Sequence, residues 1–125
     1  MLKNVKLKML ISFLLLTSYA MASKIEKGDN AKAGENSIAI GDNSSSTGTK
    51  TVAIGKEAIA KGDRNIAIGY KATTKYGSIN SAAIGTEAEV EGNSQNAFAI
   101  GRSAKIKKDA SSAYALGAFS EIGEL

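Results

Sequence analysis

Histidine and cysteine are both absent from this chain. Their absence removes imidazole acid–base work near neutrality, thiol nucleophiles and soft-metal ligation. Carboxylates are what remains for acid–base chemistry, and paired carboxylates are what glycoside hydrolysis needs. The candidates are Glu57, Glu87, Glu89 and Glu91. Each falls at a turn or an outer-strand position of the pattern described below, where solvated charge is the ordinary explanation. Glycines recur at wide, regular intervals and never as Gly-x-Gly-x-x-Gly or Gly-x4-Gly-Lys-Ser/Thr, so no phosphate cradle is present. No catalytic residue, metal ligand or cofactor is therefore assigned. Exposed aromatic and cationic side chains are the remaining functional currency, since these types anchor binding surfaces. Tyr70, Lys71, Lys75, Tyr76 and Arg102 fall near turns and are the candidate ligand contacts, with Tyr70 equally able to cover an edge of the fold.

The N-terminus has to be set apart before the rest is read. Lys3, Lys6 and Lys8 precede an apolar run from Met9 to Leu16, and Ala20-Met21-Ala22 supplies a small-x-small cleavage pattern. These are the three parts of a secretory signal, with cleavage expected between Ala22 and Ser23. The apolar run is shorter than the roughly 20 residues of a spanning helix. Residues 1–22 hold three of the 16 basic residues and none of the 12 acidic ones, which leaves the remainder at a net charge of +1. Basic and acidic residues are interspersed there, as in Lys56-Glu57, and the cluster Lys105, Lys107 and Lys108 is expected in a solvated turn. A nucleic-acid partner, which needs a basic stripe, is not supported.

What positions the remaining residues is a repeat. The phrase Ser37-Ile-Ala-Ile-Gly41 recurs as Thr51-Val-Ala-Ile-Gly55, Asn65-Ile-Ala-Ile-Gly69, Ser81-Ala-Ala-Ile-Gly85, Ala97-Phe-Ala-Ile-Gly101 and Ala113-Tyr-Ala-Leu-Gly117. Successive closing glycines are 14, 14, 16, 16 and 16 residues apart. A fixed short period predicts a solenoid, each unit one coil. Each phrase reads as a β-strand closed by a turn glycine. Three residues on, small residues (Ser44, Ala58, Ala72, Ala88, Ala104, Ser120) open a second, weaker strand, and a second turn follows at Gly48, Gly62, Gly77, Gly92 or Lys108-Asp109. Two strands of four or five residues and two turns fill a coil, with the longer coils inserting two residues before the next strand. Helix fails as a competitor, because an interior glycine costs about 1 kcal/mol relative to alanine and glycine recurs throughout.

Stacked phrases become parallel strands about 4.8 Å apart. The central residue is always alanine, at Ala39, Ala53, Ala67, Ala83, Ala99 and Ala115. A position that accepts only a methyl suggests a narrow lumen, with Ile40, Ile54, Ile68, Ile84, Ile100 and Leu116 on the opposite face beside Ile38, Val52, Ile66, Ala82, Phe98 and Tyr114. The reverse assignment, isoleucines inside, remains open from sequence. With isoleucines outside, the apolar ladder exceeds what soluble monomers expose and predicts a homo-oligomer packed on that face.

Asn36-Ser37-Ile38-Ala39-Ile40-Gly41-Asp42-Asn43-Ser44 and Lys50-Thr51-Val52-Ala53-Ile54-Gly55-Lys56-Glu57-Ala58 resemble the repeat of the YadA-like head of trimeric autotransporter adhesins. The resemblance covers roughly residues 28–123, six copies in phase. It implies an all-β, left-handed parallel β-roll with two short strands per 14–16-residue coil, assembled as a homotrimer. It also implies a non-enzymatic surface role: adhesion to extracellular-matrix protein such as collagen, or to a host cell surface. The implied organisation is a signal peptide at 1–22, a lead-in at 23–27 and head repeats at 28–125. Neither heptads nor amphipathic barrel strands appear, and the last unit is incomplete, so membrane attachment is expected only through an anchor outside this chain. The competing reading is a spacer or shield of a surface layer without a specific ligand.

Overall fold

The computed structural model describes residues 3–9 and 23–123. Residues 3–9 are helical and exposed. The expected cleavage site at Ala22, with most of the apolar run before it, lies outside the described residues. Among those described, no helix is long and apolar enough to cross a membrane.

From residue 25 onward the chain is an all-β parallel solenoid of seven coils. One ladder contains β1 (Ile25–Lys27), β3 (Ile38–Ile40), β5 (Val52–Ile54), β7 (Ile66–Ile68), β9 (Ala82–Ile84), β11 (Phe98–Ile100) and β13 (Tyr114–Leu116). The other contains β2 (Lys32–Ala33), β4 (Ser45–Ser46), β6 (Ile59–Ala60), β8 (Thr73–Thr74), β10 (Glu89–Val90), β12 (Lys105–Ile106) and β14 (Glu121–Ile122). Each strand pairs with its counterpart one coil away, and the central alanines align rung on rung from Ala39 to Ala115. The strands are shorter than expected, three residues in the first ladder and two in the second. The turns account for the difference, taking more of each coil than the glycines alone reveal.

Two left-handed corners per coil are formed largely by other residues. Asn43, Glu57, Lys71, Glu87, Ser103 and Phe119, each two residues past a closing glycine, have φ between 54° and 60°. Lys50, Arg64, Asn80, Asn96 and Ser112 take the same conformation at the opposite corner. Asparagine adopts it readily, whereas Lys50 or Phe119 carries no such signature in sequence. Conversely, Gly48 marks the second turn for lack of space, with no left-handed backbone: a Cβ there would lie 1.7 Å from the Gly62 carbonyl oxygen.

The core is a thin column of small side chains. The central alanines are 0–1% exposed, and Ala58, Ala60, Ala72, Val90, Ala104 and Ile106 meet them from the second ladder. Beside this column runs a buried polar ladder of Ser37, Thr51, Asn65 and Ser81, each four residues before one of the first four closing glycines. Ser37 Oγ accepts from Thr51 N at 3.0 Å, Asn65 Oδ1 from Ser81 N at 2.9 Å, and Ser81 Oγ from Ala97 N at 3.1 Å. Asn65 stands where 14-residue coils give way to 16-residue coils. Its Nδ2 also donates to Lys61 O at 2.5 Å and to Ser78 O at 2.8 Å, tying the inserted turn to the coil beneath. Asn65→Ala leaves Ser81 N and Ser78 O unpaired and takes from Lys61 O the shorter of its two bonds, the other coming from Thr74 Oγ1 at 3.5 Å. A loss of about 2–4 kcal/mol should follow in equilibrium denaturation, with Asn65→Ser, which keeps an acceptor for Ser81 N, losing less.

Candidate interaction surfaces

Alternation along three-residue strands with a buried centre leaves two outward side chains per rung of the first ladder. From β3 to β13 these are Ile38 and Ile40, Val52 and Ile54, Ile66 and Ile68, Ala82 and Ile84, Phe98 and Ile100, Tyr114 and Leu116, with no charged residue among them. Most are half-buried by the rungs above and below, yet Ile66, Ile68 and Ile100 remain 36–39% exposed and Leu116 63%. Ala82 is 3% exposed, paired between Ile66 and Phe98, and the Phe98 and Tyr114 rings stack at 5.3 Å and 7°. The result is one continuous apolar strip along the roll.

The second ladder presents a different face. After Lys32 on β2, its outward residues run Ser45, Ile59, Thr73, Glu89, Lys105 and Glu121, neutral from β4 to β8 and charged from β10 to β14. Glu89 joins Lys75 at 2.6 Å and Lys105 at 3.2 Å, Lys105 reaches Glu91 at 2.7 Å, and Lys107 reaches Glu121 at 2.5 Å. The expected solvated turn at Lys105, Lys107 and Lys108 is thus corrected for two of the three. Residues two apart on an extended strand share a face, so Lys105 and Lys107 join a cross-strand charge ladder and only Lys108 lies in the turn.

An open groove of 480 Å³ runs along this face between Asn43, Glu57, Ile59, Lys71, Thr73, Glu87 and Glu89. Its carboxylates are not poised as an acid–base pair, because Lys75 and Lys105 hold Glu89 and Lys71 lies 3.8 Å from Glu57. Among the described residues no cluster of three or more His, Cys, Asp or Glu could hold a metal ion.

The charge ladder carries a pH prediction. The Lys105 ammonium, with the Lys108 N–H at 3.1 Å, holds the Glu91 carboxyl below its ordinary value of 4.5, and Glu91 in turn raises Lys105 above 10.5. The Glu91 contribution is present above pH 4.5 and fades as pH falls through its lowered folded value. The Lys105 contribution is present below 10.5 and fades as pH rises through its raised one. Both side chains are a quarter to a third exposed, so the pair adds under about 1 kcal/mol. Glu91→Gln should flatten the acid limb of a plot of melting temperature against pH, and 1 M salt should shrink the difference between variant and parent.

The five candidate contact residues divide between two edges. Tyr70, Lys71 and Arg102 stand at the turn after the first-ladder strands; Lys75 and Tyr76 follow β8 at the other turn. All five are exposed. Each edge pairs a cation with a ring: Lys71 lies 5.2 Å from the Tyr70 centroid, Arg102 4.7 Å from Phe119 and Lys61 5.2 Å from Tyr76. Phe119 and Lys61 are partners that spacing did not single out. The polar ladder of Ser37, Thr51, Asn65 and Ser81 was also missed, although a small polar residue before each of the first four apolar phrases was visible.

The YadA head domain repeat matches residues 28–44, 33–58 and 46–72. No curated protein matches the chain. Past residue 72 the phrase continues on the same rungs without a break in register, through β9, β11 and β13. The YadA head is an adhesin module. Residues 28–72 of this chain carry its repeats, and the parallel β-solenoid that continues the same phrase beyond them supports a YadA-like head domain of the kind found in trimeric autotransporter adhesins.

Proposed function

We propose that the chain is the exported head of a bacterial surface adhesin. It acts as a homotrimer of left-handed rolls packed through the strip that includes Ile40, Ile54, Ile68, Ile84, Ile100 and Leu116. The observation that carries this reading is the strip itself, apolar at every outward position of six successive rungs. Full burial of an isoleucine is worth about 1.5–3 kcal/mol, and a strip of this length left in water promotes association. Residues 1–22 are the signal peptide, removed between Ala22 and Ser23; residues 23–27 lead into the head at 28–125.

With the first-ladder face covered, the two turn edges and the charged face stay free to meet a ligand. We assign adhesion to extracellular-matrix protein, such as collagen, or to a host cell surface. Contact is distributed over many weak points and multiplied by three chains. Tyr70, Lys71 and Arg102 serve one edge, Lys75 and Tyr76 the other. Binding of the exported protein to immobilised collagen and fibronectin tests the role. Saturable binding weakened at least about fivefold by Tyr70→Ala with Arg102→Ala supports it. No binding to any matrix protein or cell surface would favour a spacer or shield. Intact-mass measurement of the exported protein tests the leader, with Ser23 as the expected first residue.

A further inference from the structure

β1 departs from every later coil at one position. It pairs with β3 in the register Ile25–Ile38, Glu26–Ala39 and Lys27–Ile40, so Glu26 occupies the lumen position held by alanine in all six later coils. Its Oε1 accepts from Ala33 N, on β2 across the roll, at 2.8 Å and lies 3.3 Å from Lys24 Nζ. These two donors hold the carboxyl below the usual range.

The Ala33 contact is the informative one. Lys32 N and Gly34 N donate inward along the ladder, to Ser44 O at 3.0 Å and Ser46 O at 2.6 Å. Alternation in a parallel strand therefore turns Ala33 N toward the open edge, where a preceding coil would offer a carbonyl. Glu26 supplies the acceptor in its place. Among the described residues β1 and β2 are the edges of their sheets at this end, and β13 and β14 at the other. The far end carries alanine at the same lumen position, with Leu116, Phe119 and Ile122 exposed. All strands run parallel, so the last coil of one copy matches the first coil of another as consecutive coils match within one roll.

We propose that Glu26 is a stopper: its carboxylate closes the mouth of the lumen and keeps a second copy from docking its last coil there, end to end. An added coil would have to take the Ala33 N–H from Glu26 and bury the carboxylate against a column of methyl groups, which is strongly unfavourable for an uncompensated charge. Inward-pointing charge is one of the ways exposed sheet edges are kept from pairing.

The test is sedimentation velocity with electron microscopy on the full chain and its Glu26→Ala and Glu26→Gln variants, together with amide exchange at Ala33. The parent should sediment as one species independent of concentration. Glu26→Ala should form rods that lengthen with concentration, raising the weight-average mass at least twofold. Glu26→Gln, which keeps an acceptor without the charge, should fall between. The Ala33 amide should exchange at least tenfold more slowly in the parent than a free amide, and lose that protection in Glu26→Ala. Three results would overturn the proposal: a folded Glu26→Ala variant that keeps the parental mass at every concentration, a parent that itself stacks end to end, or an unprotected Ala33 amide in the parent. Should the alanine variant fail to fold, exchange at Ala33 in the parent decides alone.

Discussion

Lysines placed together at Ile68 and Ile84 should separate the chains of the proposed trimer while leaving each roll folded. Both residues stand at the centre of the apolar strip, Ile68 at 36% exposure and Ile84 half-buried by its neighbouring rungs. Because part of each side chain is already covered, roughly 1 kcal/mol per residue is left to gain on association. Two positions in each of three chains then contribute about 6 kcal/mol, and six ammonium groups would have to be desolvated around one axis. The apparent dissociation constant should rise at least about 1,000-fold. Far-ultraviolet circular dichroism should still report the β-roll, because each lysine replaces a side chain that points out of the column. Thr73→Lys, on the outward face of the second ladder, is the control and should leave the mass unchanged. A double variant that assembles as the parent does would remove the strip from the interface.

The second large effect is expected at Gly85. Its φ is +130°, a region essentially reserved for glycine, and costs of order 1–3 kcal/mol attach to a residue held in such regions. Space adds to this: a Cβ at Gly85 would meet the Gly101 carbonyl oxygen at 2.5 Å and its carbon at 2.7 Å, both in the backbone of the next coil. Neither atom can yield without parting the two coils, so overpacking adds about 1–3 kcal/mol. Gly85→Ala should therefore lose about 2–6 kcal/mol in chemical denaturation. Gly117 separates the two causes. It also has positive φ, +110°, but a Cβ there meets nothing within 4 Å. Gly117→Ala should carry only the backbone penalty and lose no more than about half as much. Equal losses at the two glycines would show that stacking distance plays no part.

Most of the architecture could be read from one phrase. The invariant alanines and the closing glycines specify where a strand is centred and where a coil must turn, and together they give the solenoid. Which strand face meets the lumen stays open in the sequence, and burial of the alanines at 0–1% exposure settles it. What could not be read has identifiable causes. Left-handed corners at Lys50, Glu57 and Phe119 are imposed by neighbouring coils on residues without that preference. Strands are shorter than the spacing predicts because the residues flanking each one, such as Thr51 and Gly55, still bond to the neighbouring coil but already enter the turns. The polar ladder through Thr51, Asn65 and Ser81 stayed hidden because a hydroxyl or amide beside a turn ordinarily faces water. Here it turns into the corner of the lumen, where backbone groups of two coils meet. Glu26 was passed over because the leading coil lacks the full phrase, and only the strand register places it in the alanine column. The candidate contact residues were legible as exposed anchors, but their division between two edges required the coil geometry.

In the proposed trimer the strip from Ile40 to Leu116 is covered by two further copies of the chain. Sedimentation equilibrium of the exported head, across concentrations from low micromolar upward, tests it most directly. The predicted result is a single mass three times that of one chain, collapsing to one chain in the Ile68→Lys, Ile84→Lys variant. A parent that sediments at the mass of one chain across that range would contradict it.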